Sequence, residues 1–194
     1  MTTASLIGKA RESAELIAST IEACAPRLEV AARALADRFR RGGRLFAMGN
    51  GGSACDALHA AVEFQHPIVE KRRPLPASAL PADVALLTAV GNDGDFGQVF
   101  AAQLALACRD TDAALGISTS GTAANVLRAM RTARELGACT VGFTGRDGGP
   151  LADLCEHAFV VPSWSIHRIQ EVHTVLLHLL WDHVHVELGA PDVL

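Results

Sequence analysis

The sequence predicts an α/β fold: a three-layer, doubly wound sheet of five parallel strands with helices on both faces. Short apolar runs without polar alternation recur between helix-length segments, the pattern of strands buried on both sides. Turns rich in glycine and hydroxyls follow three of those runs, where open α/β sheets place their ligand loops.

Taken in order, residues 3–23 and 27–41 read as two helices, with Pro26 at the first turn of the second and "RRGG" (40–43) closing it. "RLFAMG" (44–49) is the first strand, and a helix starts at Ser53. "ASAL" (77–80) is the second strand, followed by helices from Asp83 and over 95–108. "AALGIS" (113–118), a helix over 122–136, "CTVGFT" (139–144) and "HAFVVP" (157–162) complete the sheet. The last helix runs from 165 to 188 and ends at "GAP", where Gly189 and Pro191 punctuate it. No linker, repeat or low-complexity tract interrupts the chain, so residues 1–194 form one domain: helices over 1–43, then a sheet core over 44–194.

At 194 residues, 49% hydrophobic and 20% charged, the chain has the composition of a globular domain with a full core. A net charge of −4 provides no broad basic surface, which argues against nucleic acid as a partner. The longest apolar stretch, around "VLLHLLW", is too short to span a bilayer. The N-terminus meets polar residues before an apolar run develops, so a soluble, cytoplasmic protein is expected. The five cysteines include no C-x-x-C pair, which disfavours a disulfide framework or a thiolate zinc site and predicts buried free thiols.

"GNGGS" (49–53) ends a strand and opens a helix. Gly51 and Gly52 let backbone N–H groups approach an anion, and the helix N-terminus and the Ser53 hydroxyl favour it. The spacing matches neither a dinucleotide fingerprint nor a P-loop, so no nucleotide cofactor is expected. "STSG" (118–121) repeats the arrangement with Ser118, Thr119 and Ser120. Each loop alone reads better as a capped tight turn; together, after two strands of one sheet, they point to a shared phosphate. Neither loop contains lysine or arginine, which suits a sugar phosphate better than a polyphosphate.

His59 and Glu63 are four apart on the helix after the first loop and share a face, with Asp56 one turn earlier. Gln170, His173 and His178 lie on the last helix, Gln170 and His178 about 80° apart on the helical wheel. The His59–Glu63 pair can hold a metal or transfer a proton, and the spacing lets Gln170 and His178 face one cleft. His66, His157, His183 and His185 read as core or surface residues.

Together, "GNGGSACDALHAAVEF", "GISTSGTAANV", "TGRDGG" and "RIQEVHTVLLH" resemble the phosphoheptose isomerases of the sugar isomerase (SIS) family, in order, from about residue 5 to 188. The resemblance implies a flavodoxin-like sheet in a homotetramer with active sites at subunit contacts, the N-terminal helices packing on partner subunits. It implies isomerisation of sedoheptulose 7-phosphate to D-glycero-D-manno-heptose 7-phosphate through an enediol, a step toward lipopolysaccharide heptose. The family's glutamate and histidine match Glu63 and His178. The zinc set of some relatives falls on His59, Glu63, Gln170 and His178, so Glu63 is both a candidate ligand and the candidate base. Substrate and phosphate contacts fall on Asn50, Gly51, Gly52, Ser53, Asp93, Ser118, Thr119, Ser120 and Gln170. Asp93 reads equally as part of a polar turn.

The chain departs from the pattern at three places. Ala123 stands where the family has another phosphate-binding serine, Ser165 and Ile166 stand where Asp and Thr are common, and "FQHPIVEKRRP" replaces an arginine-bearing segment. These changes touch the sugar-contacting shell and spare the proton-transfer pair. An isomerase for another sugar phosphate, or a non-catalytic sugar-phosphate sensor or adaptor, is therefore the competing reading; retention of Glu63 and His178 favours an enzyme. Residues 1–43 are too few for a DNA-binding domain beside two helices.

Overall fold

The computed structural model describes residues 2–68 and 72–192. Five parallel strands, β1 (Leu45–Gly49), β2 (Ala77–Ala79), β3 (Ala113–Ser118), β4 (Cys139–Gly145) and β5 (His157–Val161), form one sheet in the order β2-β1-β3-β4-β5. This is the flavodoxin-like order, with its switch point between β1 and β3, where the connections leave in opposite directions. The register aligns Gly49 with Ile117, Ser118 with Thr144 and Gly145 with Val161. The loops after β1, β3 and β4 therefore emerge on one edge.

Both faces of the sheet are covered. Leu45 and Ala47 of β1, Leu115 and Ile117 of β3, and Val141 and Phe143 of β4 join α1 (Thr3–Arg40), α2 (Gly52–Gln65) and α7 (Ile166–Glu187) in one core. Phe46, Met48 and Ala114 face α4 (Ala101–Ala107), α5 (Ala124–Glu135) and α6 (Gly149–Leu154) in the other. A short helix, α3 (Val84–Asp93), lies between β2 and α4, its N-terminus capped by the Asp83 carboxylate. Leu176 on α7 is fully buried among α1 residues such as Leu35. Leu176→Ala is expected to cost about 2–5 kcal/mol, read as a lower urea midpoint at unchanged slope.

The two expected N-terminal helices are one helix of 38 residues with Pro26 inside it. Proline removes one main-chain bond and crowds the carbonyl four residues back, at a cost of about 3 kcal/mol. Here Pro26 and Glu22 are both exposed, so water can satisfy the freed carbonyl. The stripe Cys24, Leu28, Ala31, Ala32, Leu35, Ala36 and Phe39 runs through the break on one buried face and outweighs that cost. That stripe packs on the chain's own core, which leaves Leu6, Ile7 and Val30 as the large exposed apolar residues of α1.

The helix expected over 95–108 divides into a 3-10 turn, Phe96–Gln98, and α4. Asp95 causes the division: its carboxylate accepts from Gly97 N at 2.9 Å and pairs with Arg128, fixing a separate turn. The six-residue α6, with Pro150 in its first turn, is too short to leave a periodic signal. All five cysteines are free; Cys24, Cys108 and Cys139 are buried, whereas Cys55 is exposed on α2. Among the described residues no helix is long and apolar enough to cross a membrane.

Candidate active site

At the switch point, Asn50, Ser53, Ile117, Ser118, Thr119, Ser120 and Ala123 line a cavity of about 160 Å³. The Ser120 hydroxyl lies 2.8 Å from that of Thr122 and 3.5 Å from that of Ser118. Gly51, at φ +55°, turns the chain into α2, and Ala123 begins α5 without a side-chain cap. The first-turn amides of α5 thus stand beside hydroxyls at the cavity, a suitable seat for a phosphate.

Two elements hold these loops together. Asn50 and Asn125 exchange amide hydrogen bonds at 2.8 Å in both directions, joining the loop after β1 to the start of α5. Gln170 on α7 fills the space that a side chain at Gly52 would need; a Cβ there would stand 2.2 Å from its Nε2.

Further along α2, His59 Nε2 lies 3.3 Å from Glu63 Oε1 and 3.2 Å from His178 Nε2. The imidazoles meet edge to face, their centroids 4.9 Å apart. Two imidazole nitrogens this close require that one donates and the other accepts, or that a cation lies between their lone pairs. Trp181 Nε1 donates to the main-chain oxygen of Glu63 at 2.8 Å, fixing α7 against α2 at this level.

The ligand atoms of His59, Glu63 and His178 all lie within 4.8 Å of one another. Tetrahedral ligands about 2.0–2.1 Å from zinc stand about 3.3 Å apart, which matches the 3.2 and 3.3 Å separations here. Two imidazoles and a carboxylate are also zinc's usual donors, so the residues fit that ion.

Burial pushes the Asp56 carboxyl up to about 6, against a smaller opposing pull from His59, and its Oδ2 is enclosed without a hydrogen-bond partner. Because the folded chain favours the protonated acid, stability should fall as pH rises from about 4 to 6 and level off above. Asp56→Asn is expected to flatten that slope and gain about 1 kcal/mol at neutral pH in metal-free protein, read by urea melts. Partial solvation of the site keeps the gain below the full linkage value. His173 is a different case: fully buried, it is pushed down to about 4 by desolvation and donates from Nε2 to Thr144 O at 3.1 Å. It is a neutral brace between α7 and β4.

A family model described as the SIS domain matches residues 10–145. The chain belongs to the SIS domain family. Phosphoheptose isomerase of Aquifex aeolicus is 44% identical over 170 residues, 88% of this chain and 89% of that one. Phosphoheptose isomerase of Mycobacterium tuberculosis is 47% identical over 165 residues, 83% of this chain and 84% of that one. Among solved structures, a phosphoheptose isomerase from Francisella tularensis superposes with a TM-score of 0.89 at 35% identity, covering 96% of this chain and all of that one. That of Neisseria gonorrhoeae gives 0.87 at 34%, covering 93% and 96%.

This SIS domain gathers most of the residues singled out in the sequence. Asn50, Ser53, Ser118, Thr119 and Ser120 meet at the cavity; His59, Glu63 and His178 meet below it; Gln170 touches Gly52. Asp93 does not join them: it ends α3 exposed, its carboxylate accepting from Asn92 Nδ2 at 2.8 Å. Ala123 lines the cavity, so the missing hydroxyl is missing at the site itself. Ser165 caps no amide of α7 with its side chain, and Ile166 is half exposed. Of the departing stretch 65–73, residues 69–71 lie outside the described residues. Sequence reading missed Asn125 and Trp181, whose only signal was a polar group on an otherwise apolar helix face.

Proposed function

We propose that this chain is a phosphoheptose isomerase, an aldose-ketose isomerase that converts sedoheptulose 7-phosphate to D-glycero-D-manno-heptose 7-phosphate. The observation that carries the reading is a carboxylate and an imidazole, Glu63 and His178, on a helix pair whose upper end holds a hydroxyl-lined anion cavity. Ser53 and His59 are about 9 Å apart along α2, at 1.5 Å per residue, a span suited to a phosphorylated sugar several carbons long. The substrate phosphate sits among Ser53, Ser118, Thr119, Ser120 and the amides of Gly51 and Gly52. Asn50 positions that loop through Asn125, and Gln170 borders it.

A proton beside a carbonyl is weakly acidic, so the site must supply a base and stabilise the enediolate oxygens. Glu63 takes a proton from C1 while His178 gives one to O2. C2 is then reprotonated and O1 releases its proton, which completes the ketose-to-aldose shift without a net gain or loss of protons. Oε1 of Glu63 faces His59, which leaves Oε2 for the carbon-bound proton.

His59, Glu63 and His178, with Gln170 as fourth ligand, would hold one zinc per subunit. Bound zinc supplies Lewis-acid stabilisation of the sugar oxygens. His178 Nε2 cannot hold a metal and a proton together, so metal loading and general-acid catalysis compete for it. Zinc content by elemental analysis is expected to fall from about one per chain to near zero in His59→Gln.

Exposed apolar residues Leu6, Ile7 and Val30 on α1, and Leu58 and Val62 on α2, support a homotetramer with α1 at subunit contacts; sedimentation tests the mass. Asp93, exposed at the end of α3, is assigned to the substrate of a neighbouring subunit. The five free thiols suit the cytoplasm, the compartment we assign. Ala123 favours one competing substrate class, a ketose phosphate held by fewer hydroxyls.

The deciding experiment follows sedoheptulose 7-phosphate and a panel of other sugar phosphates by NMR in deuterated water, with metal-free and zinc-loaded protein. Deuterium entering C1 or C2 alongside aldose formation is the expected result. Binding without exchange on every sugar would show a sensor.

A further inference from the structure

We propose a second anion site, for a small phosphate ester, in the cavity of about 560 Å³ between the ends of α1 and α7 and the segment before β2. Arg40, Arg72, Arg73, His185 and Pro191 are among its lining residues. It lies at the N-terminal edge of the sheet, opposite the hydroxyl cavity: Gly42 on its wall precedes β1, and α7 reaches it with its last turn.

The side chain of Arg72 is 0% exposed. Its Nη2 stands 2.5 Å from Asp182 Oδ1 and donates to Pro191 O at 3.2 Å, and its guanidinium lies 4.7 Å from the Trp181 ring centre. Nε and Nη1 have no hydrogen-bond partner. Two buried N–H directions of a permanent cation are costly to leave unfilled, and the guanidinium fork is the group that best matches phosphate oxygens. His185, 2% exposed, adds a further orphan, Nε2.

Most of the charged side chains around the cavity are paired. Asp182 pairs with Arg72, Asp37 with Arg40, and Glu187 with Arg33 and His183. Among the described residues no carboxylate pairs with Arg73, which is exposed beside the cavity and helps push the His185 pKa down. The C-terminal carbonyls of both helices repel an anion, but the Arg40 guanidinium takes up Glu187 O at the end of α7, and the amides of Arg41 and Gly43 take up Arg38 O at the end of α1. What remains is one exposed cation, Arg73, beside a buried guanidinium with two unfilled donors, both residues lining a space larger than a water molecule needs.

Trp181 makes the site readable. It touches Arg72 and His185, whereas the chain's second tryptophan, Trp164, lies near Arg146 by the loop after β4. In a Trp164→Phe background, titration with inorganic phosphate should change Trp181 emission saturably. The change should persist in Ser120→Ala, which impairs the hydroxyl cavity, and should weaken on the order of tenfold in Arg72→Met. Arg73→Gln, at an exposed position where folding is not at stake, should weaken binding several-fold and covers the case in which Arg72→Met fails to fold. A flat titration would overturn the proposal, as would one that both arginine variants leave unchanged or one that Ser120→Ala abolishes. None of these readouts uses isomerase activity, so the site stands or falls apart from the proposed reaction.

Discussion

Glu63→Gln is expected to lower kcat about 10²–10⁴-fold while KM for the sugar phosphate stays within a few-fold. Glutamine keeps the shape of the side chain but takes no proton at neutral pH. The link that Trp181 makes to position 63 is to the main chain and survives the change, so the loss reports chemistry and not a shifted helix. His178→Gln should cost a similar factor. Because the two act on one proton inventory, the double variant should fall little further than the worse single variant. Multiplying losses would mean independent roles, and turnover unaffected by both would sink the mechanism.

The candidate site was legible in the sequence to the extent that its residues are brought together locally. "GNGGS" and "STSG" each follow a strand and start a helix, so their place on the sheet edge follows from topology once the strands are read. His59 and Glu63 are joined by helical spacing alone. His178 is 119 residues from His59, and no periodicity brings those residues together; the packing of α7 on α2 does, and only the family resemblance anticipated it. Asn125 and Trp181 were illegible for the same reason. Each is a polar group on a helix whose partner belongs to another element.

The three inner strands, β1, β3 and β4, read clearly because burial of every residue leaves a short continuous apolar run. The helix boundary at Pro26 was misread because a local rule about proline met a tertiary contact that outweighs it. The apolar stripe through Cys24 and Leu28 continues across the proline, a sign that the two halves share one axis. Asp95 misled in the opposite sense: helical composition over 95–108 concealed a short polar side chain that captures Gly97 N and ends the turn.

The loop after β4, "TGRDGG", was read as a third ligand loop, yet its contacts suggest another role, and Gly121→Ala tests it. Gly121 sits at φ +66°, and a Cβ there would come within 2.1 Å of Gly148 O and 2.7 Å of Thr144 Oγ1. Leu151 N donates to Gly121 O at 3.1 Å, and Thr144 Oγ1 donates to Gly148 O at 3.0 Å. The Leu151 bond fastens α6 to the loop after β3 main chain to main chain, the Thr144 bond holds the turn after β4 in shape beneath Gly121, and alanine must push one off the other. The left-handed strain adds roughly 1 kcal/mol to a displacement that backbone cannot absorb as a flexible side chain would, for a total of about 2–4 kcal/mol. Displacing Gly121 moves Ser118, Thr119 and Ser120, so KM should rise about tenfold or more, while the proton-transfer pair on α2 and α7 stays in place and kcat falls less. Unchanged KM and urea midpoint would show that the loop after β4 does not brace the phosphate seat. A fall in kcat alone would place it at the reacting carbons instead.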